Sequence, residues 1–219
     1  MGGVATAKVV SNNFLKAGIH NVIFKGVDKA DNFNALELRF EAVDGSGVHN
    51  ERLFEPRSNE RKESQYGPNP AESEQFLCKV LQVIDALDPD LAKKIEHDGS
   101  KFAASNFEGF IALLKKYLDK KIGAVTWIKL VPTTGNFVGF PGFVARLSKD
   151  GALYMNNKVI GENLVLTPKE ATMIENAANA RPTDMRKTVV DNELDDLTGD
   201  FEVTNEAPVV DDDDDTLPF

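Results

Sequence analysis

Cations and aromatic rings recur together in this sequence, and the chemistry open to them is non-covalent binding. Lysine and arginine neutralise phosphates, and an aromatic ring stacks on an unpaired base for about 1–3 kcal/mol. Arg52 and Phe54, for example, alternate within one predicted strand. We therefore expect contacts to a single-stranded nucleic acid from the following set: Lys25, Lys29, Arg39, Arg52, Phe54, Arg57, Arg61, Lys62, Tyr66, Trp127, Lys129, Phe137, Phe140 and Arg146.

Parts of this set have a plainer alternative interpretation. The cations of residues 57–62 lie among glutamates and could simply keep a loop soluble. Trp127 lies in an apolar strand, where a large ring is more often part of the core. Phe137 and Phe140 stand among glycines in "TTGNFVGFPG", which offers few neighbours to bury them, so exposure is favoured there.

Catalytic chemistry has little support in the residue types. His20, His49 and His97 are the three histidines, and they form no H-E-x-x-H pattern. The sequence also has no C-x-x-C pair, no G-x-x-x-x-G-K-[ST] phosphate loop and no G-x-S-x-G elbow. Cys78 lies in an apolar run, which is typical of a small buried side chain. We expect no catalytic residue, no metal and no cofactor.

The formal charge of −10 is unevenly distributed. Residues 188–219 hold twelve of the 35 acidic residues and none of the 25 lysines and arginines, so residues 1–187 are close to +2. Such a body can bind a polyanion although the whole chain is acidic. The sequence has no run of about 18 apolar residues and no signal-peptide pattern, which favours a cytoplasmic protein without a membrane partner.

Alternation of apolar and polar residues predicts strands at both ends of the body. Residues 18–30 predict a long strand, bent or bulged beside a glycine, and residues 35–44 alternate cleanly. Residues 48–56 predict a third strand, which Pro56 ends. Residues 122–132 predict a fourth, and a Gly-rich segment and a hairpin follow it.

Helical periodicity separates the two groups of strands, over about residues 69–121. Residues 69–72 (Asn-Pro-Ala-Glu) predict the start of a helix, and a short helix is expected at 89–97. Residues 105–108 (Ser-Asn-Phe-Glu) predict a capping box that opens the next helix. The segment from Thr167 to about Ala180 predicts one more helix.

This order of elements predicts a mainly β fold with a helical insertion. Three meandering strands, then helices, then further strands is the order of an OB-fold, a five-stranded Greek-key barrel. Here the helical segment between strands 3 and 4 is enlarged, at about 69–121, and the polar stretch 57–68 is expected to be a loop. We assign residues 1–180 to this domain and residues 181–219 to a disordered acidic tail.

The sequence ends in "DDDDDTLPF", an aspartate run followed by an apolar tip. An aspartate run with Pro-Phe at the chain end resembles the C-terminal tip of bacterial single-stranded DNA-binding proteins. Thr216 interrupts that pattern, and Leu217 stands where isoleucine is common. The layout of the body is similar to that of bacteriophage single-stranded DNA-binding proteins. The tip residues are Asp211, Asp212, Asp213, Asp214, Asp215, Leu217, Pro218 and Phe219.

The resemblance implies a protein that coats exposed single-stranded DNA, with little sequence preference, during replication, recombination or repair. It implies that the tip recruits a polymerase, helicase, primase or nuclease, because Phe219 can enter an apolar pocket while the acids meet cations. A phage origin would place the protein in the cytoplasm of a bacterial host. Two alternatives stay open, an acidic DNA mimic that inhibits other proteins and an enzyme of nucleic-acid metabolism, and the oligomeric state is open too.

Overall fold

The computed structural model describes residues 13–65, 67–97, 104–134 and 137–179. The chain divides into two units, residues 1–179 and residues 180–219, and only the first contains described residues. The predicted tail with its tip lies outside the described residues, and so does Tyr66. Those predictions stay predictions.

The described part of the chain is mainly β, with nine strands and four α-helices. A 3₁₀ turn, Asp119–Lys121, follows the third helix. The elements in chain order are β1 (Gly18–Lys29), β2 (Ala35–Ala42), β3 (Val48–Phe54), β4 (Lys62–Ser64), β5 (Gly67–Asn69), α1 (Glu72–Leu87), α2 (Pro89–His97), α3 (Phe107–Leu118), β6 (Val125–Pro132), β7 (Val138–Gly139), β8 (Ala145–Leu147), β9 (Leu153–Met155) and α4 (Pro168–Asn179).

Five antiparallel strands form a nearly closed barrel in the order β3-β2-β1-β6-β7. The register of β1 against β2 shifts between Phe24 and Gly26, and this bulge lets β1 pair with β6 over its first half and with β2 over its second. The predicted bend in the first strand is therefore confirmed. The edges β3 and β7 approach each other at Glu51, whose Oε2 accepts the backbone N–H of Phe140 at 2.9 Å.

The barrel interior is built from the alternation that the sequence predicts. Leu36, Leu38 and Phe40 of β2 are fully buried, while the residues between them reach the surface. Phe24 lies directly opposite Phe40, and their ring centroids are 5.8 Å apart. Apolar residues of α1 and α3 belong to the same core, so these helices cover the barrel and do not form a separate domain.

The start of α1 differs from the prediction. Asn69 pairs with Lys62 in the β4–β5 hairpin, so it does not cap a helix. The helix begins at Glu72, where Glu74 Oε2 accepts the backbone N–H of Ala71 at 2.8 Å. The stretch 57–68, predicted as a loop, contains most of this hairpin. Strands this short in a polar stretch leave no alternation for the sequence to show.

Of the other two predicted helix starts, the one at Ser105 is wrong by one residue and the one at Thr167 is confirmed. Asn106 caps α3, because its side chain accepts the N–H of Gly109 at 2.7 Å, and the predicted capping box one residue earlier is wrong. The Thr167 prediction is confirmed: Thr167 N–H donates to Glu170 Oε2 at 2.8 Å, and Thr167 Oγ1 accepts the Glu170 N–H at 3.2 Å.

Candidate nucleic-acid interface

The predicted cations on the outer face of β1 and β2 lie beside carboxylates. Lys25 Nζ is 2.8 Å from Glu41 Oε2, and Arg39 Nη2 is 2.6 Å from Asp28 Oδ2. A hydrogen bond from Lys115 is the main reason why the pKa of Asp28 is lowered, and Arg39 adds to the effect. Arg39 is therefore one of two cations that hold a single carboxylate, which restrains it.

Lys29 and Arg52 are paired in the same way. Lys29 Nζ forms an ion pair with Glu108 at the start of α3, and Arg52 Nε donates to Glu37 Oε2 at 3.0 Å across the β2–β3 ladder. The Lys29–Glu108 pair is open to solvent on both sides, whereas Glu37 is only 16% exposed beside Arg52 at 45%, and solvent-exposed ion pairs contribute little to stability. A phosphate can therefore replace such a carboxylate at low cost, but the face is less cationic than its lysines and arginines suggest.

Two exposed phenyl rings form the most distinctive feature of this surface. Phe33 and Phe54 are 46% and 59% exposed, with their ring centroids 6.1 Å apart and their planes nearly perpendicular. The guanidinium carbon of Arg52 lies 5.1 Å from the centre of the Phe33 ring. We name Phe33, Phe54 and Arg52 the phenyl platform.

Backbone hydrogen bonds position the two chain segments that carry the platform. Phe33 lies in the turn between β1 and β2, where Asn32 adopts a φ of 62°, a conformation that asparagine tolerates better than most residues. Ala30 N–H donates to the Ala35 carbonyl at 2.9 Å and closes this turn. Glu55 N–H, next to Phe54, donates to the Asn34 carbonyl at 2.9 Å. These hydrogen bonds hold the backbone that carries the two rings.

Phe137 and Trp127 are exposed, as the sequence predicts for Phe137. Phe137 is 76% exposed, and its carbonyl accepts both the N–H and the hydroxyl of Thr133, at 2.8 and 3.1 Å, which closes the β6–β7 turn. Trp127 projects from the outer face of β6 and borders a cavity of about 400 Å³. The cavity is lined by Asn21, Asp85, Ala86, Val125, Thr126, Trp127, Lys158, Gly161 and Glu162.

Lys129 does not belong to an accessible interface. Its residue is 1% exposed, and its Nζ is 3.0 Å from both Glu170 Oε2 and the Val165 carbonyl, with a further hydrogen bond to Asn157. It shares its strand face with the exposed Trp127, but Glu170 of α4 covers it. The prediction for Lys129 is corrected, because a phosphate cannot reach this ammonium group.

Phe140 is also corrected. It is buried, and its ring centroid lies 6.2 Å from that of Phe40 and 6.3 Å from that of His49. Its backbone N–H is the group that Glu51 binds. The neighbouring glycines, which favoured exposure at the sequence level, instead let the chain approach Glu51 closely: a Cβ at Gly139 would stand 3.2 Å from Glu51 Oε2.

The basic residues of 57–62 are exposed, and their surroundings differ. Arg61 forms a bidentate pair with Glu74, with Nη2 2.7 Å from Oε1, and it also donates to the Gly151 carbonyl at 3.1 Å. The hydrogen bonds to Glu74 raise the pKa of Arg61. Arg61 therefore links Glu74 of α1 to the backbone at Gly151. Arg57 and Lys62 have no carboxylate within ion-pair distance among the described residues. Arg146 is exposed on β8.

The described residues give no support to a metal site. No three histidines, cysteines, aspartates or glutamates in that part of the chain are placed to hold a metal ion. Cys78 is buried, and burial raises the pKa of its thiol, which is the reverse of what a nucleophile needs. No α-helix in the described ranges has the length and apolar character needed to cross a membrane.

Comparison of this chain with protein-family models, with curated proteins and with solved structures finds no match in any of the three. The geometry of the surface therefore carries the functional argument. That geometry brings Arg52 and Phe54 together, leaves Phe137 and Trp127 exposed, and buries Lys129 and Phe140.

The sequence contained one signal that was missed. Phe33 is the only apolar residue in "DNFN", the turn between two confidently alternating strands. Phe33, like Phe137, is a large ring among residues too small or too polar to bury it. Phe33 then completes the platform with Phe54, its neighbour across the ladder end.

Proposed function

We propose that this chain binds single-stranded DNA, with little sequence preference, through the phenyl platform. The observation that supports the proposal is the pair of phenyl rings, half exposed, arranged edge to face and bordered by a guanidinium. Every base has a π-face, so such rings bind unpaired bases of any sequence. A duplex keeps its bases stacked on one another and offers the rings nothing comparable.

The ion pairs around the platform supply the phosphate contacts in this proposal. Arg52 can bind a phosphate in place of Glu37 while its guanidinium stays against Phe33, because the arginine side chain is 45% exposed. Lys25 and Lys29 can exchange their carboxylates in the same way. The expected affinity is therefore moderate and dependent on salt.

An OB-fold is the finer fold that we propose. If only the barrel strands are numbered, β6 is the fourth and β7 the fifth, and the order around the barrel is 3-2-1-4-5. The hydrogen bond from the Phe140 N–H to Glu51 connects the end of the fifth strand to the third. In chain order α1 to α3 follow the third barrel strand and precede the fourth, so they would form the enlarged helical segment. OB-folds bind single strands across their second and third strands, where Arg52 and Phe54 lie.

The acidic tip gives the proposal its second part. We infer from its resemblance that residues 211–219 recruit replication or recombination proteins and compete with DNA when no strand is bound. In this function the chain performs no bond-breaking step and needs no cofactor, and it works in the cytoplasm, that of a bacterial host if a phage encodes it.

Titration of a fluorescently labelled dT oligomer, beside a duplex of the same length, tests the proposal. The single strand is expected to bind at least tenfold more tightly than the duplex. Equal affinity for both, or binding to neither, would reject single-stranded DNA as the ligand and would return attention to the DNA-mimic alternative.

A further inference from the structure

In the hairpin formed by β8 and β9, Ala145 at the base is buried in the core, whereas Arg146 and the whole of β9 are exposed. Leu153, Tyr154 and Met155 follow one another, and all three are exposed, which is unusual for consecutive residues of an apolar strand. The turn is closed by Ser148 N–H to the Ala152 carbonyl and by Gly151 N–H to the Ser148 carbonyl, each at 2.9 Å.

Two glutamines of α1 anchor the base of this hairpin. Gln75 and Gln82 are two helical turns apart and are both buried. Gln75 donates to the Ala145 carbonyl at 2.8 Å and accepts the N–H groups of Val144 and Ala145 at 2.9 and 3.0 Å.

Gln82 binds the returning chain, donating to the Asn157 carbonyl at 2.9 Å and accepting the Val159 N–H at 2.8 Å. The amides thus act as a neighbouring strand would and satisfy backbone groups on both sides of the hairpin.

The turn of the hairpin is fixed as well. Arg61 donates to the Gly151 carbonyl while its guanidinium is held by Glu74 of α1. The hairpin is therefore tied to the same helix at its base, through the glutamines, and at its turn, through Arg61. A projection held at both ends loses little freedom when it binds a ligand.

Arg146 and Tyr154 are both exposed on this anchored hairpin. They lie directly opposite each other in the β8–β9 register, so both side chains are on one face. Tyr154 is 47% exposed, and Arg146 Nε is 3.0 Å from the Asn156 amide, oriented so that its oxygen accepts. No carboxylate among the described residues is within ion-pair distance of Arg146, unlike the cations of the barrel face.

We propose that Arg146 and Tyr154 form a second contact for the same single strand, at which one base stacks on Tyr154 and the adjacent phosphate meets the two terminal nitrogens of Arg146. This proposal rests on the proposed function. The pair combines a ring, a cation whose terminal nitrogens meet no carboxylate among the described residues, and an anchored backbone, which is the chemistry of sequence-tolerant strand binding. Asp150, the acidic residue of the turn, accepts a hydrogen bond from the Ser148 hydroxyl.

A second copy of the chain is the less suitable occupant of this hairpin. A stable homodimer needs about 800 Å² from each partner, and a three-residue strand offers only a fraction of that area. An apolar contact would also leave the Arg146 guanidinium without a counter-charge, whereas a phosphate supplies one.

The test compares a short and a long dT oligomer, of about 6 and about 20 nucleotides, because a single OB-fold covers about 4–16. Tyr154→Ala, Tyr154→Leu and Arg146→Gln are expected to weaken binding of the long oligomer by about five- to a hundredfold. They are expected to leave the short oligomer, which the phenyl platform binds alone, unchanged. Met155→Ala, an exposed change on the opposite face, is the matched control.

Three outcomes overturn the second contact: unchanged affinity of the hairpin variants for the long oligomer, an equal loss for both oligomers, or the same loss for Met155→Ala. A change of oligomeric state in the hairpin variants, measured by size-exclusion chromatography with light scattering, also overturns it in favour of a second copy. Failure of the unmodified protein to bind either oligomer is a different result, because it rejects the proposed function itself.

Discussion

Glu51 Oε2 accepts the backbone N–H of Phe140 at 2.9 Å and lies 2.9 Å from His49 Nε2 as well. One buried carboxylate in β3 therefore links the two edges of the barrel, where backbone pairing between β3 and β7 is absent from the described sheet. A side chain thus supplies a hydrogen bond between the two edges of the barrel, and a side chain can be changed without changing the strands.

Glu51→Ala is expected to destabilise the protein by about 2–4 kcal/mol, because it leaves the Phe140 N–H and the His49 ring without a partner in the interior. Urea denaturation followed by circular dichroism measures the change. Glu51→Gln keeps a hydrogen-bond acceptor at the same place and should lose clearly less stability. Equal stability of Glu51→Ala and the unmodified protein would mean that the barrel closes without this link.

Removing one partner of the buried Lys129–Glu170 pair should lower the free energy of unfolding more than replacing both partners does. Glu170→Ala is expected to lose about 3–5 kcal/mol, because it leaves the Lys129 ammonium buried with too few acceptors. The double variant Lys129→Met/Glu170→Leu removes both charges and should be more stable than the single one. Chemical denaturation gives the comparison, and a double variant as unstable as Glu170→Ala would contradict it.

The same pair makes stability depend on pH in the acid range. Burial raises the pKa of Glu170, but hydrogen bonds from Asn157, the Thr167 backbone and Lys129 outweigh it and hold the pKa below the ordinary 4.5. Because the folded pKa is lowered, the contribution of Glu170 is complete above pH 4.5 and is lost as the pH falls through the folded value. The melting temperature of the unmodified protein should fall below pH 4.5 more steeply than that of Lys129→Met/Glu170→Leu.

Salt should weaken binding to dT oligomers to a measurable and limited degree. If about three or four phosphates replace carboxylates at the cations of the barrel face, the slope of log affinity against log salt is about −2 to −3. Arg52→Gln should make that slope shallower by about 0.7, whereas Lys120→Gln, an exposed cation in the turn after α3, should not change it. A flat response of the unmodified protein would leave stacking as the whole interaction.

Deletion of residues 211–219 should tighten binding to dT oligomers at low salt and abolish recruitment of replication proteins, because the aspartate run would compete with DNA. A shorter deletion, of Pro218 and Phe219 alone, should abolish recruitment and leave the affinity for DNA unchanged. Fluorescence titration and co-precipitation with purified host polymerase, helicase, primase or nuclease measure the two effects. Unchanged behaviour in both assays would reject a role for the tip.

The two-residue strand β7 lies in the Gly-rich segment and shows no alternation, but the sequence predicted the other four of the five barrel strands well, because alternation records directly which face each residue takes. β2 shows this most clearly, with Leu36, Leu38 and Phe40 inside. The burial of Lys129 does not show in its strand, because α4, which covers it, lies 41 residues further along the chain at Glu170 and no local pattern indicates the contact. Phe140 was misplaced for a related reason, as its neighbours in the core, Phe40 and His49, come from distant strands.

The candidate interface was predictable only in part. Arg52 and Phe54 followed from alternation within one strand, but the ring that completes the platform, Phe33, lies in a turn whose approach to the end of β3 is set by the barrel. The ion pairs were not predictable at all. Lys29 and Glu108, for instance, are far apart in sequence, and only the packing of α3 against β1 brings them together.

Measured affinity of platform variants for a labelled dT oligomer tests the central claim most directly. Phe33→Ala and Phe54→Ala should each weaken binding by about five- to 150-fold, which corresponds to the loss of one stacked base, and Leu77→Ala, an equally exposed apolar change on α1, should not. If the double variant Phe33→Ala/Phe54→Ala keeps its fold and binds the oligomer as tightly as Leu77→Ala does, the platform is not the binding site.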